Sequence, residues 1–508
     1  MKIGLYIDPS HCRQWMESLA RRLTENHAAS IHVAVSDASP LPEHIEHLFQ
    51  AEEGSYHKNQ HHGATPMDVC ELERFHERAQ PDETFDLVID LVGDGRPPSS
   101  NESVTLLYNG HAGEKALVAS IMASGMPQIA LRTSTGKIVA TAAPSGELAA
   151  GVTGSMDQVF ARVITLIDAW IGHHHRWVQP LISRLARLPD AGILKKRTAK
   201  SRFKDRLKQI YYRLFRPSHW RVGWRFVEDE DVWSRQSLAG ETWQVLRDKE
   251  THFYADPVPW EEGGRHYLFF EDLDQRTQKG VLSVVTFDEA GKPGPVECCL
   301  EEPYHLSYPY LIRHQDQTYM IPETSANGDV ALYRTEAFPV GWQREKVLLT
   351  GLDAADVTIA QWEGRWWIFC VTRDGAGGYS DCLSLFYADD LFGPWQPHAQ
   401  NPVLIDKATA RPAGNMIVRG KSLLRPVQDC TTSYGAALKL VEVTHLSPEH
   451  YEQRVIKTLE PNSHWPGRKL HTLNRAGNLE VIDGAILRPK WSLLRWIAER
   501  IYRPKGSR

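Results

Sequence analysis

Residues 265–271 read Arg-His-Tyr-Leu-Phe-Phe-Glu, a turn residue that leads into an apolar strand pattern. The same pattern returns about every 50 residues, and the further copies begin at Gln317, Gly364, Gly420 and Gly477. A repeat of this length that consists only of strands is typical of β-propeller blades with four strands each. The sequence therefore predicts an all-β five-bladed β-propeller over residues 223–488.

A second series of polar residues accompanies the first four blades, at Asp256, Ser307, Asp356 and Arg411. The innermost strand of each propeller blade runs along the central axis, so we expect these side chains to converge on one funnel. A β-sandwich, the alternative all-β fold, would not repeat a polar residue and an aromatic strand at one interval. Residues near the ends of the following strands are expected to line the same mouth: Glu323, Arg425, Gln428, Asp429 and Asp483.

The first part of the chain has a different pattern, in which short apolar runs alternate with amphipathic stretches of helix length. Lys2–Ile7 and Phe85–Val92 are two of the expected strands, and Glu114–Ser124 is one of the expected helices. This alternation predicts a parallel α/β sheet, and we assign residues 1–172 to an N-terminal α/β Rossmann-like domain. A multidomain protein also agrees with the length of 508 residues, because single cores stop growing near about 250–300 residues.

Two segments are strongly basic, although the whole chain has a net charge of −5. Residues 176–225 contain fifteen Lys or Arg and two Asp, and residues 488–508 contain seven Lys or Arg and one Glu. Apolar residues recur in both at spacings of three and four, which predicts amphipathic helices. We assign a basic amphipathic helical connector to residues 173–222 and a basic amphipathic C-terminal helix to residues 489–508.

Basic amphipathic helices with Trp and Leu on the other face are suited to an anionic membrane surface. We expect such attachment through residues 176–222 and 489–508. The alternative is that the apolar faces pack on the two domains while the charges are solvated. Nucleic acid is not expected as a partner, because no recognised module with base-stacking aromatic residues is visible.

Cysteine usage and the first residues indicate the compartment. The seven Cys are scattered without a CxxC pair, which is typical of a reducing compartment without structural zinc. The chain begins with a strand pattern rather than a secretory signal, and it has no run of about 18 apolar residues. We therefore expect a cytoplasmic protein, peripheral on the inner face of the plasma membrane. No cofactor is expected, and no metal at His61-His62 or His173-His174-His175, because adjacent histidines point in different directions.

Motifs in the predicted propeller resemble two groups of proteins. Ala255-Asp256-Pro257 and the blade pattern look like the arabinanase/levansucrase clan of five-bladed glycosidases. The chain is more similar still to the propeller region of the glucosamine inositolphosphorylceramide transferase family. Three stretches carry this resemblance: His305-Leu306-Ser307-Tyr308-Pro309 with Pro322-Glu323-Thr324, Arg411-Pro412-Ala413-Gly414-Asn415, and Arg425-Pro426-Val427-Gln428-Asp429-Cys430 with Tyr434-Gly435. The N-terminal domain loosely resembles the formyltransferase fold, on Asn109-Gly110-His111.

The resemblance to the glycosidase clan implies roles for three carboxyl groups. Asp256 would be the base or nucleophile and Glu323 the acid. Asp356 would orient the acid or raise its pKa. Glu271 is a competing candidate for the acid.

Other polar residues are expected to bind substrate. A guanidinium grips a phosphate or carboxylate with two parallel hydrogen bonds, so Arg411 and Arg425 suit an anionic sugar or a sugar joined to phosphate. The alternative for each Arg is an ion pair with a blade carboxylate such as Asp429. His305 and His471 would donate to sugar hydroxyl groups or be satisfied by backbone carbonyls. The full expected substrate-binding set is Glu271, His305, Ser307, Tyr308, Arg411, Arg425, Gln428, Asp429, Tyr434, His471 and Asp483.

Three hypotheses of function follow. The first is an enzyme of cell-surface polysaccharide or glycolipid synthesis that transfers or hydrolyses a glycosyl unit in the funnel. Its substrate would be a glycan, a nucleotide-sugar or a lipid-linked sugar. The second is a non-catalytic glycan-binding propeller that presents substrate to a partner enzyme. The third is a formyl- or acyltransferase that works through the N-terminal domain.

Overall fold

The structure, a computed structural model, describes residues 1–56, 63–80, 82–173, 178–196, 207, 210, 211, 213–228, 230–249 and 251–506. The chain divides into two compact units. The first unit comprises Met1–Lys200 together with Arg373–Asp381 and Pro402–Lys407, and the second comprises Ser201–Thr372, Cys382–Asn401 and Ala408–Arg508. Two short segments from the propeller part of the sequence thus belong to the first unit.

The first unit contains eight strands of one sheet: β1 (Lys2–Ile7), β2 (Ser30–Val35), β3 (Glu77–Arg78), β4 (Phe85–Asp90), β5 (Ser100–Tyr108), β6 (His111–Ala112), β7 (Ile129–Thr133) and β8 (Ile138–Ala142). Its helices are α1 (Gln14–His27), α2 (Glu43–Tyr56), α3 (Val69–Phe75), α4 (Glu114–Ser124) and α5 (Gly151–His173). The strand order is β3-β2-β1-β4-β5-β7-β8, with β6 paired to β5.

Pairing is parallel from β3 to β5 and antiparallel at β7 and β8. The prediction of a parallel sheet is therefore wrong at this edge. The four residues between β7 and β8 form a tight turn, which only antiparallel neighbours can use. On the face of the sheet, α1 buries Trp15, Met16, Leu19, Ala20 and Leu23 at spacings of three and four.

Five sheets form the blades of the second unit. Blade 1 contains β11 (His252–Glu262), β12 (Arg265–Asp274), β13 (Lys279–Thr286) and β14 (Glu297–Leu300); blade 2 contains β15 (Ser307–His314), β16 (Gln317–Glu323), β17 (Asp329–Arg334) and β18 (Gln343–Thr350). Blade 3 contains β19 (Ala354–Trp362), β20 (Arg365–Thr372), β21 (Cys382–Ala388) and β22 (Gln396–Pro397); blade 4 contains β24 (Ile417–Arg419), β25 (Ser422–Asp429), β26 (Ala437–Leu446) and β27 (Tyr451–Leu459). Blade 5 contains β28 (Leu473–Ala476), β29 (Leu479–Pro489), β9 (Phe215–Phe226) and β10 (Gln244–Val245). The short β23 (Leu404–Ile405) lies in Pro402–Lys407.

Each of the five sequence repeats is the second strand of its blade, namely β12, β16, β20, β25 and β29. The predicted five-bladed β-propeller is therefore confirmed. Short helical turns lie at Pro9–His11, Val232–Arg235 and Ser325–Asn327, and a C-terminal helix spans Ser492–Ile501. None of the helices in the described part of the chain is both long enough and apolar enough to span a membrane.

The ring of blades is closed by β9, which pairs antiparallel with β29 from Phe215↔Pro489 to Phe226↔Leu479. The predicted helical connector over 173–222 is therefore wrong from residue 215 onward. Pairing with β29 stabilises the strand because it completes the last blade and leaves neither strand as an open edge.

The described remainder of the connector is only partly helical. Residues 178–190 have no regular secondary structure, whereas residues 191–196, 207, 210, 211, 213 and 214 are helical. The predicted helical positions at 174–177, 197–206, 208, 209 and 212 lie outside the described residues, as do His61-His62 and His174-His175.

Candidate active site

The first strands of blades 1, 2 and 3 carry a β-bulge at the same place, between Ala255 and Val258, Ser307 and Tyr310, and Ala355 and Thr358. Asp256, Tyr308 and Asp356 lie in these bulges with positive φ angles of 50°, 43° and 53°. Such angles are uncommon for residues other than glycine and cluster at functional sites, where bulges re-aim side chains. The counterpart of Asp256 in blade 2 is therefore Tyr308 and not Ser307.

The second strands contribute the facing residues. Glu271 pairs with Ala255, and Glu323 pairs with Ser307, so the two glutamates occupy equivalent positions in blades 1 and 2. In blade 4 the backbone N–H of Gln428 donates to the backbone carbonyl of Arg411. In blade 5 the backbone N–H of Asp483 donates to the backbone carbonyl of Thr472. The structure thus brings most of the predicted site residues to one end of the propeller.

Asp256, His471 and Asp483 form a buried triad. His471 Nδ1 lies 2.6 Å from Asp483 Oδ2, and His471 Nε2 lies 3.4 Å from Asp256 Oδ1. Burial opposes a charge on His471, but the carboxylates of Asp483 and Asp256 raise the pKa of this imidazole above its usual value. Burial also raises the pKa of Asp256 to about 6, against the opposing effect of His471.

Asp483 organises this triad. It is fully buried and accepts the backbone N–H groups of Asp256 at 3.0 Å and Thr472 at 2.9 Å. These bonds hold Asp256 and His471 in place, and the Asp483 side chain has no exposed surface through which it could contact a substrate. The three side chains offer ligand atoms within 4.8 Å of one another and could also hold a metal ion.

Sequence reasoning missed two neighbours of the triad. Thr472 Oγ1 donates to Asp256 Oδ1 at 3.0 Å, and the Trp220 ring stacks on His471 with centroids 3.8 Å apart. Gly435 allows this stacking, because a Cβ there would lie 2.9 Å from His471 Cβ and 3.0 Å from the Trp220 ring. The adjacency of Thr472 to His471 was the only signal for Thr472, and Trp220 had been assigned to the connector.

Glu271 is buried beside His305, whose Nε2 lies 3.4 Å from Glu271 Oε1. The Nδ1 of His305 accepts the N–H of Gly280 at 2.9 Å, which leaves the proton of a neutral imidazole on Nε2. Burial lowers the pKa of His305. Burial, together with the carboxylates of Asp256 and Glu323, raises the pKa of Glu271 well above its usual value.

Glu323 lies at the partly exposed end of β16. Its Oε1 accepts from Ser325 Oγ at 3.1 Å, and its Oε2 accepts the backbone N–H of Asp356 at 3.2 Å. Loss of solvent around the carboxyl and the neighbouring carboxylate of Asp356 raise the pKa of Glu323 to about 8.

Asp356 forms a buried ion pair with Arg411. Arg411 Nε donates to Asp356 Oδ2 at 2.5 Å, and Nη2 donates to Oδ1 at 3.2 Å. Gln428 Nε2 donates to Asp356 Oδ2 at 3.1 Å, and the guanidinium of Arg411 lies 4.8 Å from the centroid of the Tyr434 ring. The side chains of Arg411 and Gln428 therefore bind Asp356. For Arg411 the structure shows the ion pair with a blade carboxylate that was the alternative to a substrate contact.

Other predicted residues are placed differently. Arg425 is buried and donates to the backbone of Ala410 and to Tyr451, so it is not an anion clamp at the funnel. Its suggested partner Asp429 instead forms an ion pair of 2.8 Å with Lys439. Both assignments failed because alternate residues of a strand point to opposite faces, and the sequence did not reveal which face each side chain takes.

Lys469 is a cation near the funnel that the sequence did not single out. Its Nζ lies 5.9 Å from the Trp220 ring centroid and 5.8 Å from that of Tyr434. The Lys469 ammonium forms no hydrogen bond or ion pair with the residues that the structure describes. Burial lowers its pKa, as expected for an ammonium without a counterion.

Replacing Glu323 with glutamine is expected to stabilise the fold at alkaline pH. The pKa of Glu323 is higher in the folded protein than in the unfolded chain, so its stabilising contribution is present at low pH and is lost as the pH rises through about 8. In urea titrations, Glu323→Gln should therefore raise the unfolding free energy at pH 9 on the order of 2 kcal/mol, with little change at pH 5. The exposed Glu336→Gln is the control; equal shifts of the Glu323 variant at both pH values would contradict the assignment.

The first unit has a cavity of about 480 Å³ at the carboxyl ends of β1, β2 and β4, with Asp8, His11 and Asp94 in its lining. Neither Asn109 nor His111 is among the described residues that line it. The Oδ1 of Asn109 instead accepts the backbone N–H of Gln128 at 2.9 Å. The residues that carried the formyltransferase resemblance therefore do not meet at this cleft.

Five blades with carboxyl groups gathered at one end define a five-bladed β-propeller of the type that the motifs predicted. Residues 243–484 match the family model "Glucosamine inositolphosphorylceramide transferase 1, N-terminal". Proteins named glucosamine inositolphosphorylceramide transferase 1 are 31% identical over 249 residues in Oryza sativa subsp. japonica and 31% identical over 265 residues in Arabidopsis thaliana. These alignments cover 46% and 48% of this chain, and 33% and 34% of the relatives. The chain thus spans about a third of the relatives' length, and the resemblance of its propeller to this family is confirmed.

Two solved structures are also similar to the chain. The catalytic domain of the Coprinopsis cinerea GH62 α-L-arabinofuranosidase is 14% identical, with a TM-score of 0.35, and the match covers 52% of this chain and 86% of that one. Zg3597, a family 117 glycoside hydrolase from Zobellia galactanivorans, is 12% identical, with a TM-score of 0.33, and the match covers 48% and 77%.

Proposed function

We propose that the propeller is the catalytic domain of a carbohydrate-active enzyme that transfers or hydrolyses a glycosyl unit. The observation that carries this proposal is a buried cluster of carboxyl groups whose pKa values differ. The pKa of Asp256 is about 6 and that of Glu323 is about 8. Near pH 7, Asp256 is then mostly ionised and Glu323 mostly protonated, which are the states that a base or nucleophile and an acid require.

The surrounding residues have supporting roles in this proposal. Asp256 acts as base or nucleophile, held by Thr472 and by His471. Glu323 protonates the leaving oxygen, and Asp356 keeps its pKa high. The protonated Glu271 and neutral His305 remain the second candidate pair for proton donation.

The proposed substrate is a glycan joined to phosphate, in cell-surface polysaccharide or glycolipid synthesis. The relatives' name describes transfer involving inositolphosphorylceramide, a lipid that contains phosphate. In this chain the guanidinium groups of Arg411 and Arg425 are occupied by other groups, whereas the Lys469 ammonium has no counterion among the described residues. We assign Lys469 the role of anion ligand that the sequence had suggested for the two arginines.

The test is the pH dependence of activity on defined substrates. The protein is incubated with UDP-N-acetylglucosamine and inositolphosphorylceramide in detergent, and separately with 4-nitrophenyl glycosides. We expect kcat/KM to rise as Asp256 ionises at about pH 6 and to fall as Glu323 loses its proton at about pH 8. A profile without the acid limb would contradict the role of Asp256.

A glycan-binding propeller without catalysis is the second candidate. Tyr308 occupies the bulge position that is an aspartate in blades 1 and 3, which removes one carboxyl group from the funnel. Calorimetric binding of inositolphosphorylceramide without product from either assay would favour this function over the enzyme.

A further inference from the structure

The C-terminal helix Ser492–Ile501 presents large apolar side chains to solvent. Leu494, Ile497 and Ile501 are 40%, 43% and 68% exposed, and their spacing places them on one stripe. Trp491 and Trp496 are 64% and 51% exposed. Among the described side chains of the helix, only Ala498 is buried.

This helix is fixed to the propeller. Lys490 donates its N–H to Leu214 at 2.8 Å before the helix, and Lys505 donates its N–H to Ser463 at 3.0 Å after it. The guanidinium of Arg221 donates to the carbonyl of Tyr502 at 2.6 Å. The apolar stripe is therefore a fixed surface of the second unit.

The helix lies at the funnel end of blade 5. In blade 1, β11 and β12 are joined by the turn at Gly263-Gly264, and Asp256 and Glu271 lie toward the opposite, open end of this hairpin. In blade 5, β29 runs in the same direction as β12 and continues past Asp483 to Pro489, about 20 Å of strand, before the helix begins. The segment before β9 reaches the same end, because Phe215 pairs with Pro489.

The charges around the stripe are positive. Lys490, Arg500, Arg503 and Lys505 flank or belong to the helix, with Glu499 as the single acidic residue between them. Arg500 stacks on Trp496, with the guanidinium 3.8 Å from the ring centroid. Exposed Leu, Ile and Trp beside Lys and Arg match the acyl boundary and phosphate layer of an anionic lipid surface.

We propose that Trp491–Ile501 is an interfacial anchor that holds the funnel end of the propeller at an anionic membrane. The substrate is then a phosphoglycan still attached to its lipid, whose headgroup enters the funnel near Lys469. This consequence for the substrate rests on the proposed function, whereas membrane binding does not.

Flotation of the full-length protein with vesicles tests the anchor. Vesicles of phosphatidylcholine with about 30% phosphatidylserine should bind the protein at least about tenfold better than phosphatidylcholine alone, and added salt should weaken this binding. The double variant Ile497→Ser/Ile501→Ser should lose about tenfold in binding to the anionic vesicles. Phe75→Ser, which removes a 71% exposed apolar residue from the first unit, is the matched control and should bind normally.

Other outcomes separate the two proposals. Equal flotation of the double variant and Phe75→Ser would overturn the anchor, as would a concentration-dependent dimer that the double variant loses without any flotation. An active protein whose double variant retains hydrolysis of 4-nitrophenyl glycosides but loses turnover of inositolphosphorylceramide in anionic vesicles supports both proposals. Normal flotation without turnover of any of these substrates would support the membrane anchor and contradict the proposed enzymatic function.

Discussion

Replacing Asp256 with asparagine is expected to lower kcat by about 10²–10⁴-fold at pH 7, because an amide can neither accept a proton nor attack an anomeric carbon. The fold should persist, since the amide oxygen can still accept the hydrogen bond from Thr472. The measurement is kcat/KM across pH on the substrates named above. The acid limb at about pH 6 should disappear with the carboxyl group.

A matched control separates this effect from a general change of charge. Asp429→Asn makes the same chemical change at the end of β25, the second strand of blade 4. Asp429 forms an ion pair with Lys439 and has no proposed role in the reaction. Its activity should stay within about threefold of the parent. Asp256→Asn activity as high as that of Asp429→Asn would remove Asp256 from the reaction.

Replacing Arg411 with methionine is expected to destabilise the protein by about 3–5 kcal/mol, because it leaves the carboxylate of Asp356 buried without its counterion. The two side chains are 9% and 3% exposed, so water cannot replace the lost ion pair. Urea denaturation at pH 7 measures the change. The pKa of Glu323 should also rise further, because the charge of Arg411 lowers it in the parent protein.

Two further variants test the mechanism of this destabilisation. Arg411→Met combined with Asp356→Asn should recover much of the lost stability, because no buried charge remains unpaired. Arg313→Met breaks the ion pair with Glu262, whose side chains are 43% and 32% exposed, and should cost less than about 1 kcal/mol. A similar cost for Arg411→Met and Arg313→Met would show that the buried pair contributes no more than an exposed one.

The propeller was predictable because its signal is periodic. Five copies of one strand pattern mark the second strand of five blades, and a repeat of this kind reports the architecture without any knowledge of contacts. The helix Glu114–Ser124 was likewise predicted with the bounds that the structure has. The strand β9 was not predicted, since its partner β29 lies more than 250 residues away in the sequence and only ring closure selects that pairing.

The funnel was predictable in part. Asp256 and Asp356 were recognised as equivalent, but Ser307 was aligned with them in place of Tyr308. The spacing between equivalent positions varies, from 52 residues (256 to 308) to 48 residues (308 to 356), and Ser307 is the small polar residue beside the true position. Arg425 was placed at the mouth although its side chain lies among Phe369, Ala410 and Tyr451. A displacement of one residue along a strand moves a side chain to the opposite face of the sheet. An alignment error of a single residue therefore assigns the side chain to the wrong surroundings.

The amino-acid sequence by itself determined the number of blades, the series of acidic residues and the basic character of the two flanking segments. These are local or periodic properties that each segment carries without its neighbours. Only the tertiary structure decided which carboxyl groups are buried together, which arginines are occupied and which lysine has no counterion among the described residues. The pKa of a side chain depends on solvent and on charges from other blades, and these neighbours meet only after the chain has closed into a ring.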